Sequence, residues 1–280
     1  MYDSVNTDVV RNTFMTLCIA WTRKNKRAEE LIMATDSRLR SFGSWDCNPK
    51  IFTFSRTDCA MCFAGDTAFA YPMMIQLKNT IDANPKIKSR HQRLEVFKGI
   101  VLNILNEMLE YKSDYELPAV SFIFGGYCWH RQEFLLWNLK YQKGIKKFTQ
   151  HSIDFWKGVK GERKITFIGD YIADAKKRLI EKLKANGKLQ SGDFEMEPFE
   201  VLRDMLVEGQ KSADYLDIGG APQMLKIYKS LNTLPIAVKW KYDEVEKVTL
   251  LGHPLSENAK VSNPILDPFD LKLSNTNKYY

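Results

Sequence analysis

A chain of 280 residues with 44% hydrophobic and 27% charged content can bury a large core, which excludes a mostly disordered or low-complexity polypeptide. The net charge of +7 gathers in the middle, at Lys140, Lys143, Lys146, Lys147, Lys157, Lys160, Arg163 and Lys164. That stretch reads as solvated strand edges and helix faces and not as a nucleic-acid surface. Five cysteines without framework spacing exclude a disulfide scaffold and point to reduced thiols.

Residues 1–15 are polar and aperiodic, without the basic start and apolar core of a signal peptide, and read as an N-terminal extension or propeptide ahead of the domain. No apolar run reaches membrane-spanning length, so a cytoplasmic protein with no membrane partner is expected. Strands are expected at 15–22 and 31–35 around the charged loop 23–27, then a second hairpin at 50–54 and 59–65. Asp66 suits an N-cap for a helix running to about residue 82, in which Phe69, Met73, Met74, Ile75 and Leu77 supply a buried face despite Pro72. A second helix is expected over about 92–111.

The middle returns to strands at 119–127 and 133–141, with weaker ones near 146–151 and 164–169. Helices over 171–185 and 198–213 follow, and then strands at 223–228, 234–241 and 247–251. The proline-bearing segment 252–280 reads as an extended C-terminal tail. Strands in groups and helices in pairs predict an α+β fold over 16–251. The expected form is two antiparallel sheets packed together with a helical layer outside each, a four-layer αββα sandwich in one domain.

One residue suggests chemistry. If Thr16 became the first residue, it would carry a hydroxyl nucleophile and a free α-amine together; an amine titrating near pH ~8 has enough neutral fraction to take the hydroxyl proton. No histidine is then needed, and His91, His130, His151 and His253 are scattered along the chain. Cys59-Ala60-Met61-Cys62 has the spacing of half a zinc site, but no second pair is evident and the run reads as an apolar strand, so no metal or cofactor is expected.

Four segments in succession carry a resemblance: Thr16-Leu17-Cys18-Ile19-Ala20, Ala34-Thr35-Asp36-Ser37-Arg38, Pro49-Lys50-Ile51-Phe52 and Phe63-Ala64-Gly65-Asp66-Thr67-Ala68. In this order they resemble the proteasome β-subunit-like N-terminal nucleophile (Ntn) hydrolases, nearest the bacterial ancestral β-subunit (Anbu) group. Weaker echoes lie at Phe167-Ile168-Gly169-Asp170 and Ile218-Gly219-Gly220-Ala221-Pro222-Gln223. The resemblance implies a threonine peptidase acting on peptide or protein substrates as a homo-oligomeric ring, an arrangement compatible with an unfoldase partner.

The same resemblance implies site roles. Thr16 would be nucleophile and base, Asp36 would hold Lys50, and the Lys50 cation would lower the pKa of the amine. The Gly65 N–H would stabilise the tetrahedral oxyanion. Two positions depart from the family. Asp170 stands where a serine is usual and equally suits a helix N-cap. Asp214 and Asp217 compete for the supporting acid, with Asp217 the candidate, while Ile218 takes the place of a serine. Each residue also has an ordinary structural reading, and a proteasome-like scaffold without catalysis is the alternative function.

Overall fold

The computed structural model describes residues 16–24, 29–40, 43–113, 117–151, 153, 156, 163–242, 244–256, 259 and 261–274. The expected extension over 1–15 lies outside the described residues. Two hairpin strands come first, β1 (Leu17–Lys24) and β2 (Glu29–Thr35), then the two-residue strands β3 (Leu39–Arg40) and β4 (Ser44–Trp45). Next are β5 (Ile51–Thr53), β6 (Cys59–Gly65), helix α1 (Thr67–Ala83), the single turn α2 (Pro85–Lys88) and α3 (Leu94–Leu109). The middle holds β7 (Val120–Cys128), β8 (Glu133–Gln142), β9 (Lys147–His151) and β10 (Ile165–Gly169). Helices α4 (Ile172–Ala185) and α5 (Glu197–Lys211) lead to β11 (Gln223–Tyr228), β12 (Thr233–Tyr242) and β13 (Val245–Leu250).

The segment read as a tail adds β14 (His253–Pro254), β15 (Ile265–Leu266) and β16 (Leu273–Ser274). β15 pairs with β12 in parallel and buries both its side chains. This part of the segment is therefore woven into the sheet and does not simply run over the surface.

One large sheet has the order β10-β1-β2-β11-β12-β13-β14, with β15 and β16 attached at β12; the other has the order β5-β6-β7-β8-β9, and β3 and β4 pair as a separate two-stranded sheet. The period-2 geometry of a strand sends alternate side chains to opposite faces. Along β1, Leu17, Ile19 and Trp21 pack with Ala175, Leu179, Leu202 and Met205 of α4 and α5. The intervening Cys18 and Ala20 pack instead with Ala60, Cys62 and Ala64 of β6 and Ile123 of β7. Cys59, Met61 and Phe63 on the opposite side of β6 meet Met74, Leu77, Phe97 and Val101 of α1 and α3. Both faces of these central strands are buried, which is why they read as continuous apolar runs.

The result is a mixed α/β domain with, among the described residues, two large sheets, one two-stranded sheet and five helices. None of those helices is long and apolar enough to cross a membrane. In the basic middle, Lys164 pairs with Glu133 and Arg163 with Asp193, whereas Lys143, Lys146 and Lys147 stand exposed around the β8–β9 turn. Lys157 and Lys160 lie outside the described residues.

Candidate active site

The antiparallel pairing of β1 with β2 sets Cys18 opposite Thr35, so the start of β1 and the end of β2 meet at one end of the sheet. Thr16 and Asp36 flank that pair and are both buried. β10 pairs with β1 from the other side, with Gly169 opposite Leu17. At Gly169 φ is +106°, and a Cβ there would lie 1.8 Å from the Thr16 carbonyl oxygen, so only glycine fits. The Asp170 N–H then donates to that carbonyl at 2.7 Å, fixing the Thr16 main chain.

Lys50 sits just before β5 with its side chain buried. Its Nζ donates to Thr16 Oγ1 at 2.6 Å and to both carboxylate oxygens of Asp36 at 3.0 Å. Asp36 Oδ1 also accepts from the Leu17 N–H at 3.2 Å, and Oδ2 from the N–H groups of Arg38 at 3.0 Å and Gly219 at 3.2 Å. A Cβ at Gly219 would fall 2.4 Å from the Arg38 guanidinium, so a larger residue there would have to displace that side chain. Burial pushes the Asp36 carboxyl above the usual carboxylate range, against the downward pull of the Lys50 charge and the surrounding N–H donors. An ion pair in such a dry place is costly to assemble, and removing one partner costs more than the pair contributes.

Two further contacts aim Lys50. Its carbonyl accepts from the Phe63 N–H of β6 at 3.3 Å, and its N–H donates to Gln223 Oε1 at 3.0 Å. Tyr71 of α1 donates its hydroxyl to the carbonyl of the preceding Pro49 at 3.1 Å and packs edge-on against Phe63.

Gly65 ends β6. The Phe63 N–H points to the β5 side, and by strand alternation the Gly65 N–H, two residues on, points the same way, past Lys50 where the β5 pairing begins. The Asp66 N–H turns to the opposite side, onto the Ala119 carbonyl, and the Asp66 carboxylate caps α1 by accepting from Ala68 N–H at 2.8 Å. A donor at the head of a helix is thus directed into the space beside Lys50.

Of the other expected site residues, Asp170 adjoins Thr16. Asp170 reaches the site through its main chain, and α4 begins at Ile172 after Tyr171, so Asp170 is not the helix cap that its sequence position also allowed. Asp217 accepts from Arg40 at 2.9 Å and from the Tyr171 hydroxyl at 3.1 Å. Asp214 is exposed and accepts from Ser212. Ile218 is packed in the core beneath α4 and α5, where it has no group to offer a polar network. His91, His130 and His253 are exposed, and His151 pairs with Thr149. Cys59 and Cys62 fall on opposite faces of β6 and cannot close on one ion.

Sequence reading missed Gln223 and the Arg38–Asp46 pair, which is bidentate at 2.8 and 2.7 Å and braces the strand β2 exit. Gln223 heads the strand Gln-Met-Leu-Lys-Ile-Tyr, in which it and Lys226 are the buried polar residues, so its polarity was the signal.

No family model matches the chain, and no curated protein matches it. Among solved structures, an Anbu (Gly-1) mutant from Hyphomicrobium sp. strain MC1 is similar to it with a TM-score of 0.54. The match covers 85% of this chain and 88% of that one, at 13% sequence identity. The fold is proteasome-like. In this proteasome-like fold Thr16, Asp36 and Lys50 converge at one end of the larger sheet, and β6 brings Gly65 to them from the other.

Proposed function

We propose that the chain is an N-terminal threonine hydrolase of peptide bonds, with Thr16 as nucleophile once its α-amine is exposed. The observation that carries this reading is the Lys50 ammonium, held by both oxygens of Asp36 and placed 2.6 Å from Thr16 Oγ1. A buried cation at that distance favours the deprotonated hydroxyl and the neutral amine beside it. The amine takes the hydroxyl proton while Oγ1 forms a bond to the substrate carbonyl carbon, and the Gly65 N–H receives the developing oxyanion. Collapse breaks the C–N bond, and the ammonium returns the proton to the leaving amine. Water, deprotonated by the same α-amine, then hydrolyses the acyl ester and frees Thr16.

Asp36 and Lys50 act on protonation, Asp170 on the position of Thr16 through its main chain, and Asp217 at a remove through Tyr171. The two sheets lie face to face with a helix pair on each, which we read as the four-layer αββα sandwich. We also propose that the protein works as a homo-oligomer through the helix pair α1 and α3, on which Ile75, expected on the buried face of its helix, and Val96 are exposed.

Reaction with a threonine-directed electrophile, mapped by mass spectrometry, tests the reading. One adduct per chain on Thr16 is expected. Absence of reaction in protein whose N-terminus is Thr16 would favour the non-catalytic scaffold.

A further inference from the structure

Gln223 opens β11 with its side chain fully buried, and its amide ties together the segments that carry the candidate site. Oε1 accepts from the Lys50 N–H at 3.0 Å. Nε2 faces the carbonyl of Asn48 at 2.7 Å, the carbonyl of Asp36 at 3.0 Å and the hydroxyl oxygen of Ser37 at 3.1 Å. Ser37 gives its own proton to the Ala221 carbonyl, leaving its oxygen free to accept. The orientation of the amide is therefore forced. Turned over, it would set its NH₂ against the Lys50 N–H and leave three oxygens facing another oxygen.

The consequence falls on Lys50. Its carbonyl is tied to β6 through Phe63 and its N–H to Gln223, so its main chain is clamped between the two sheets. The direction of its Cα–Cβ bond, and with it the reach of Nζ, depends on both ties. The same amide holds the Asp36 carbonyl, so one side chain sets the relative placement of both ends of the ion pair. We propose that Gln223 is a positioning residue that holds the Lys50 ammonium against Thr16 Oγ1, an inference that rests on the N-terminal threonine reading. It acts through Lys50 and the Asp36 main chain and not on the reacting atoms. A leucine at 223 would fill the space but leave the Lys50 N–H and two carbonyls unpaired in a dry interior. A glutamic acid would keep an acceptor for the Lys50 N–H and lose donors to the carbonyls.

The test uses protein whose N-terminus is Thr16, with a β-lactone as the threonine-directed probe, and follows the rate of Thr16 modification against pH for wild type, Gln223→Glu and Gln223→Leu. A misplacement of about 1 Å costs about 10²-fold in rate, and a loss of that size is expected for Gln223→Leu, with Gln223→Glu intermediate. The midpoint of the acid limb should move to higher pH in both, because a displaced Lys50 no longer lowers the pKa of the α-amine. A purely structural role would reduce the folded fraction and leave the midpoint of the folded protein unchanged. That result, or a wild-type profile in Gln223→Leu, overturns the inference. Should Gln223→Leu fail to fold, the midpoint of Gln223→Glu decides. If wild-type protein with Thr16 at its N-terminus is not modified, the threonine-hydrolase reading itself falls, and this inference with it.

Discussion

At Lys50 and Asp36, chemistry and stability pull in opposite directions. Replacing Lys50 by methionine keeps most of the side-chain volume but leaves the Asp36 carboxyl in the dry interior without its cation. Activity is expected to fall by about 10²–10³-fold, the range for loss of one preorganised electrostatic group, and stability by about 3–5 kcal/mol at neutral pH. Asp36→Asn keeps the shape, loses the charge and should be less severe for activity. The stability loss in Lys50→Met should depend on pH. Burial already raises Asp36, and without the ammonium it rises further. A carboxyl with a raised folded pKa contributes stability below its unfolded value of ~3.9 and loses it as pH rises toward the folded value. Denaturant unfolding of Lys50→Met should therefore show stability falling by up to about 1.4 kcal/mol per pH unit in that window relative to wild type. The dependence should vanish in Lys50→Met/Asp36→Asn; a slope that persists would assign it to another group.

At the scale of elements, a second buried pair shows how the smaller sheet holds its helices. Arg56 and Asp58, both fully buried, are bidentate at 2.8 and 2.9 Å in the β5–β6 turn. Arg56 also donates to the carbonyls of Ser89 at 3.2 Å and Gln92 at 2.7 Å and lies over the Phe97 ring. It thereby pins the link between α2 and α3 to the sheet. Arg56→Ala should cost about 3–5 kcal/mol by stranding Asp58. Arg56→Ala/Asp58→Ala should recover part of that loss in a double-mutant cycle read by urea unfolding; strict additivity would argue against the pair. Sequence patterning located the long elements because burial on both faces leaves apolar runs, and period 3.6 marks α1 and α3. It missed β3, β4, α2 and β14 to β16, since two-residue strands and a single helical turn have no period to detect. At the site, Thr16, Asp36 and Lys50 were legible as motifs in order, whereas Gln223 was not, because its role comes from contacts with residues about 175 positions away. Asp217 was legible as an acid in the right stretch, but its pairing with Arg40 and Tyr171, 177 and 46 positions away, was not.

For the molecule as a whole, the two sheets bring the start of β1, the end of β2, the residue before β5 and the end of β6 to one place, which no single segment could assemble. The proposed homo-oligomer predicts that sedimentation at micromolar concentration gives a species larger than a 32.5 kDa monomer. Replacing the exposed Ile75 and Val96 by aspartate should shift it toward the monomer, and a wild-type monomer throughout would remove the assembly from the account. The central claim is that the α-amine of Thr16 is the base, and an amide nitrogen at that position has no basic lone pair with which to serve. The most direct measurement compares peptide hydrolysis by protein whose mass shows residues 1–15 attached with hydrolysis by protein beginning at Thr16. Activity is predicted only in the form beginning at Thr16, and equal rates in the two forms would contradict the mechanism.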